Sequence, residues 1–158
     1  MPIMDKNNPP KSFGVFKPVG HTVIAFQDAQ TMEAAATAMQ DQGLEPASLI
    51  RYTTGEMKTQ VESDLQTASP LASVGQELNL VKAHRALADQ GCSFLVAYAP
   101  GEEQTKIVDA VVTSHHARAA QRYGSLLIEE LVPSVEGDTQ VFESPDRGLD
   151  IDVPASTR

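Results

Sequence analysis

Tryptophan is missing from this chain, and aromatic residues together make up only 5% of it. A surface that reads bases by stacking would have few rings to build from, so nucleic acid is not expected as a partner. Positive charge is scarce as well: 12 Lys and Arg stand against 21 Asp and Glu, a formal net charge of -9. Phosphate backbones and anionic bilayers attract clustered cations, and this balance disfavours both. The single cysteine, Cys92, can form neither an intrachain disulfide nor, alone, a cysteine-based metal centre.

Long apolar runs are also lacking. None approaches the roughly 18 to 20 residues of a spanning helix, and Pro9, Pro10 and Pro18 interrupt the first twenty residues, which hold no continuous apolar core. A reducing, cytoplasmic setting without a membrane partner is the expectation. The glycines Gly43, Gly55, Gly75, Gly91, Gly101 and Gly124 are isolated, so no phosphate-cradling loop or nucleophile elbow is present. Glu102 with Glu103 and Glu129 with Glu130 are sequence neighbours that point apart on helix or strand. No catalytic residue, cofactor or metal is therefore assigned from motifs.

What is present is one domain's worth of chain, 158 residues of which 41% are hydrophobic, enough to bury a core. Residues 1–20 read as an N-terminal arm, partly flexible, in which Phe13, Val15 and Phe16 would dock as a short extended segment. Residues 132–158 read as an acidic tail, with Glu136, Asp138, Glu143, Asp146, Asp150 and Asp152 against Arg147 and Arg158.

Between them, in 21–131, the hydrophobic period switches repeatedly. HTVIAF at 21–26 is apolar on both alternating faces, as a central strand would be. Asp28 then caps a helix with the stripe Met32, Ala35, Ala36 and Met39, stopped by Gly43. ASLIRYT at 47–53 is a second strand. Thr53 and Glu56 have capping-box spacing, followed by Met57, Val61 and Leu65. A second inserted helix runs from Ser69 to about Gln90, SFLVAYA at 93–99 is a third strand, and Pro100-Gly101 opens a helix carrying Ile107, Val108, Val111 and Val112. Residues 121–131 supply a fourth strand.

This order predicts an α+β fold: a ferredoxin-like βαβ-(αα)-βαβ sandwich with a four-stranded antiparallel sheet and a helical insertion, 54–90, between strands two and three. The first and third strands would lie centrally, and they are the two that are apolar on both faces. Helices on one face would leave the other to be covered by the inserted helices, by the arm or by a second copy. The helix from Ser69 has Leu71, Val74, Leu78 and Val81 on one side and Leu80, Ala83 and Leu87 on the other, which predicts a homodimer with this helix near the interface.

The candidate ligand-binding residues are His84, Arg85, His115, His116, Arg122 and Tyr123. Histidine titrates near neutrality and ligates or transfers protons, while Arg85 sits in an apolar stripe where a guanidinium needs a partner. The competing expectation makes His84 and His115 packed residues with a satisfied ring nitrogen and His116 a cation at a helix C-terminus. Lys82, Arg85, Arg118 and Arg122 form either a patch for an anionic metabolite or solvated surface charge. Cys92 reads as a small buried hydrophobe. Tyr52, Tyr98 and Tyr123 lie on three strands, where alternation can place their rings on one face.

The stretches ALADQGCSFLVAYAPGEEQTKIVDAV and AQRYGSLLIEEL, within 21–131, resemble the small bacterial domains of the general-stress-protein type. Domains of that type often carry a Gly-rich apolar middle segment, where this chain has the polar amphipathic stretch from Thr54 to Gln90. The resemblance implies the fold and a bacterial cytoplasmic setting, and transfers no catalytic residue. The functional expectation is a non-enzymatic, stress-related dimeric module that binds a protein or small molecule. The alternative is an enzyme or ligand binder with a pocket formed by a ferredoxin-like dimer.

Overall fold

The chain is described by a computed structural model over residues 3–12, 14–68, 77–125 and 127–132. It is a mixed α+β structure with four α-helices and an antiparallel sheet among the described residues. A small hairpin, β1 (Lys11–Ser12) and β2 (Val15–Phe16), precedes β3 (His21–Phe26), α1 (Ala29–Asp41) and β4 (Leu49–Tyr52). Then come α2 (Thr54–Thr67), α3 (Glu77–Asp89), β5 (Ser93–Tyr98), α4 (Glu102–Ser114), β6 (Ala119–Tyr123) and β7 (Ile128–Glu130). The main sheet has the order β4-β5-β3-β6-β7, and every neighbouring pair is antiparallel.

Local chemistry sets these boundaries. Asp28 accepts the Thr31 N–H at 2.7 Å and starts α1, whose buried residues are Met32, Ala35, Ala36 and Met39. Gly43, at φ 119°, then takes the left-handed conformation that lets the chain leave the helix. Thr53 and Glu56 form a reciprocal capping box at the head of α2: the Thr53 hydroxyl accepts the Glu56 N–H at 3.0 Å, and the Glu56 carboxylate accepts the Thr53 N–H at 2.9 Å.

Strand alternation sorts the core into two halves. Ile24, Phe26, Leu95, Ala97 and Ala120 face α1 and α4, meeting Met32, Met39, Val108 and Val111. Val23, Ala25, Tyr52, Phe94, Val96 and Tyr123 face the other way, meeting Met57 and Val61 of α2, Leu80, Val81 and Ala88 of α3, and Val15 and Phe16 of β2. The second face of the sheet is thus covered from within the chain, by the inserted helices and the N-terminal arm together. Phe16 is the centre of that cover, with its ring centroid 6.4 Å from Tyr52 and 6.2 Å from Tyr123.

Three expectations are corrected. The sheet has five strands rather than four, because the segment 121–131 is broken by a turn in which the Gly124 N–H donates to the Leu127 carbonyl at 2.9 Å. A Cβ at Gly124 would stand 2.9 Å from that carbonyl oxygen, so the turn needs glycine there. In α3, Leu80 and Val81, expected on opposite sides, are buried together with His84 and Ala88 as one face, while Leu78, Ala83 and Leu87 flank it half-buried. Residues 69–76, where that helix was expected to begin, and the tail 133–158 lie outside the described residues. Arg85 falls outside the buried stripe and is exposed.

Candidate functional site

Four of the buried polar side chains, His21, Asp64, His84 and Gln121, lie on the second face of the sheet. His84 projects from α3 at 1% exposure and edges against Phe94, with ring centroids 5.7 Å apart. Its Nε2 lies 3.0 Å from Gln121 Oε1 on β6, and Gln121 Nε2 donates to Glu130 Oε2 on β7 at 2.9 Å. Because the Gln121 amide spends its NH2 on Glu130, its oxygen faces His84, which fixes the ring proton on Nε2. Burial holds the imidazole below its ordinary pKa, opposed in part by the Gln121 bond. Glu130, itself exposed, ends this chain of bonds at solvent.

A second buried imidazole, His21, opens β3 with no exposed surface. Its Nδ1–H donates to the Val19 carbonyl at 3.0 Å, and its Nε2 accepts the Met4 N–H at 3.1 Å. Across β5 its ring packs on Tyr98, centroids 4.9 Å apart. Asp64, on the buried side of α2, accepts the Phe16 N–H at 3.2 Å and the Gln60 amide at 2.9 Å. Burial pushes this carboxyl above its usual range, and the two hydrogen bonds pull it partly back. Burial likewise raises the phenols of Tyr52 and Tyr123 far above their ordinary value, with nearby carboxylates adding to it. Tyr52 Oη is buried and has no hydrogen-bond partner. The three tyrosines do share one sheet face, since Tyr98 alternates with Val96 and Phe94.

The six residues proposed from the sequence are not brought together. His84 and Tyr123 are buried on the second face. Arg122, next in sequence to Tyr123, points to the opposite face, where it bridges Asp109 of α4 and, at 3.3 Å, Glu129 of β7. Arg85 meets Glu62 at 3.5 Å in the open, and Arg118 reaches Gln90 at 3.0 Å, so Arg85, Arg118 and Arg122 are separately paired rather than pooled. His115 caps the C-terminus of α4 with Nδ1 2.9 Å from the Ser114 hydroxyl. His116 follows it, exposed, at φ 53°. Cys92 is buried, and burial pushes its thiol up, away from the reactive thiolate. Among the described residues no group of three or more His, Cys, Asp or Glu is placed to hold a metal ion, and no helix is long and apolar enough to cross a membrane.

Sequence reasoning passed over Asp64 and Gln121. The signal for Asp64 was present: it falls on the stripe Met57, Val61, Asp64, where an apolar residue would be expected. Gln121 carried no signal of its own, because its partner lies 37 residues away on a helix. Comparison with protein-family models, with curated proteins and with solved structures finds no match to this chain.

Proposed function

We propose that the protein is a non-catalytic binding module of ferredoxin-like topology, extended by one edge strand and a pair of inserted helices. The order β4-β5-β3-β6, with α1 and α4 on one face, supports the topology. One observation carries the functional reading. Two of the side chains best suited to chemistry are engaged by intrachain partners on opposite sides of the sheet: His84 with Gln121 on one, Arg122 with Asp109 and Glu129 on the other. An enzyme of this architecture would need at least two of them to converge on a shared cavity. The stress-related role and bacterial cytoplasmic setting remain part of this proposal through the resemblance of 21–131.

Self-association belongs to the same proposal, but at a sheet edge rather than the sheet face, since the face is already covered. Of the two edges, β7 carries Glu129 and Glu130 and would repel its own copy, whereas β4 carries one charge, Arg51, already paired with Glu33 at 2.7 Å. A two-fold β4 to β4 pairing is the arrangement proposed. Native mass spectrometry of untagged protein tests both parts together: a dimer without added mass is expected, and a monomer carrying a retained small molecule would overturn the reading.

A further inference from the structure

The N-terminal segment 3–10 is fastened at Met4 by a histidine, and further along by the Lys6–Glu56 ion pair and by the Lys17 N–H, which donates to the Pro10 carbonyl at 2.9 Å. His21 has no exposed surface, and its two ring nitrogens play opposite roles: Nδ1–H donates to the Val19 carbonyl, and Nε2 accepts the Met4 N–H, 17 residues upstream. A protonated imidazole has two N–H groups and no acceptor, so the Met4 amide would then face another donor. Met4 is itself buried, and the chain after it is held by a tight turn in which Asn7 N–H donates to the Asp5 carboxylate at 2.9 Å.

We propose that His21 is an acid-sensitive latch: neutral, it keeps the Met4 end of segment 3–10 on the second face of the sheet, and protonated, it lets that end lift while the hairpin β1–β2 stays docked. The hairpin has separate fastenings, since the Phe16 N–H is taken by Asp64 and the Thr67 hydroxyl donates to the Gly14 carbonyl at 2.7 Å. Charged and titratable groups on the surrounding elements are the Tyr98 phenol of β5, Asp5 and Lys6 of the arm, and Glu56 of α2, which pairs with Lys6 at 2.7 Å. Among the described residues no carboxylate bonds to the ring, and only the Val19 and Pro18 carbonyls favour the imidazolium. Burial lowers the ring's pKa from its ordinary 6.5, and the bond to Val19 opposes this in part. The latch therefore contributes fully above pH 6.5 and is lost as pH falls through the lower folded value. This inference is independent of the binding reading.

Amide hydrogen exchange of the full chain, followed by NMR and corrected for intrinsic rates, tests it. As pH falls from 7.5 through the interval in which the His21 ring gains its proton, followed on the same sample, the protection of the Met4 amide is expected to fall by roughly five- to tenfold, as loss of one buried hydrogen bond implies, while Ile24 and Phe94 keep theirs. In His21→Gln, whose amide is neutral throughout, Met4 protection is expected not to change with pH. The latch is overturned if Met4 protection stays flat across that range, if Ile24 and Phe94 lose protection in step with it, or if His21→Gln keeps the wild-type pH dependence. Should His21→Gln fail to fold, the wild-type ring signals decide alone: Nε2 must gain its proton in the same pH interval in which Met4 protection falls, and separate intervals would overturn the latch.

Discussion

The backbone N–H of Phe16 donates to the carboxylate of Asp64 across 48 residues of sequence, and both residues are all but fully buried. This single bond ties the N-terminal hairpin to an inserted helix over the second face of the sheet. A carboxylate in that position is costly to desolvate and is tolerated because two donors, Phe16 N–H and Gln60 Nε2, satisfy its oxygens.

Asp64→Ala should therefore cost about 1 to 3 kcal/mol, since it strands a buried backbone donor. Asp64→Asn keeps an acceptor and should cost far less. Because the folded state raises the Asp64 pKa, the native protein favours the protonated acid. Its contribution is therefore complete below pH 3.8 and declines as pH rises through the higher folded value. Urea titrations from pH 3.5 to 7 should show the wild type losing ground to Asp64→Asn as pH rises; a gap that widens in the wild type's favour would contradict this.

Gly14 adopts φ 85°, and a Cβ there would lie 2.1 Å from the Thr67 carbonyl oxygen, a backbone atom with little room to give. Gly14→Ala should loosen the hairpin from α2 and lower stability by roughly 2 kcal/mol or more, from a clash and a left-handed backbone together. Limited trypsinolysis should then cut after Lys11 faster than in the wild type.

His116 is the one non-glycine residue of the described chain with positive φ, just beyond α4. Glycine is the residue that adopts this conformation without steric cost, so His116→Gly is expected to stabilise by about 0.5 to 1 kcal/mol. Thermal unfolding measures it, and a loss of stability would mean that the imidazole has a partner.

Tyr52 Oη and Thr22 Oγ1 are buried without hydrogen-bond partners. Removing an unsatisfied hydroxyl while keeping the shape removes a desolvation penalty, so Tyr52→Phe and Thr22→Val should be neutral or stabilising by up to about 1 kcal/mol. Losses above about 1 kcal/mol in denaturant titrations would contradict this.

The helix α1, the capping box of α2 and the paired faces of β3 and β5 were legible because each is written in neighbouring residues: a cap, a stripe or an alternation. The turn at Gly124 was not, since one glycine inside an apolar run does not announce a reversal. The buried face of α3 was misjudged because leucines surround the helix, and what decides their burial is the sheet and α2 beneath it. The same holds for the candidate site. Alternation alone separates Arg122 from Tyr123, but only the packed structure shows that Gln121 engages His84 and that Asp64 engages Phe16.

The most direct test of the account is carbethoxylation of the folded protein at pH 7, read residue by residue by mass spectrometry. With His84 and His21 engaged in the interior, both should react at least about tenfold more slowly than the exposed His116, because modification must wait for local opening. Equal rates for His84 and His116 would place His84 in an open site and contradict the claim that the histidine best suited to chemistry is part of the core.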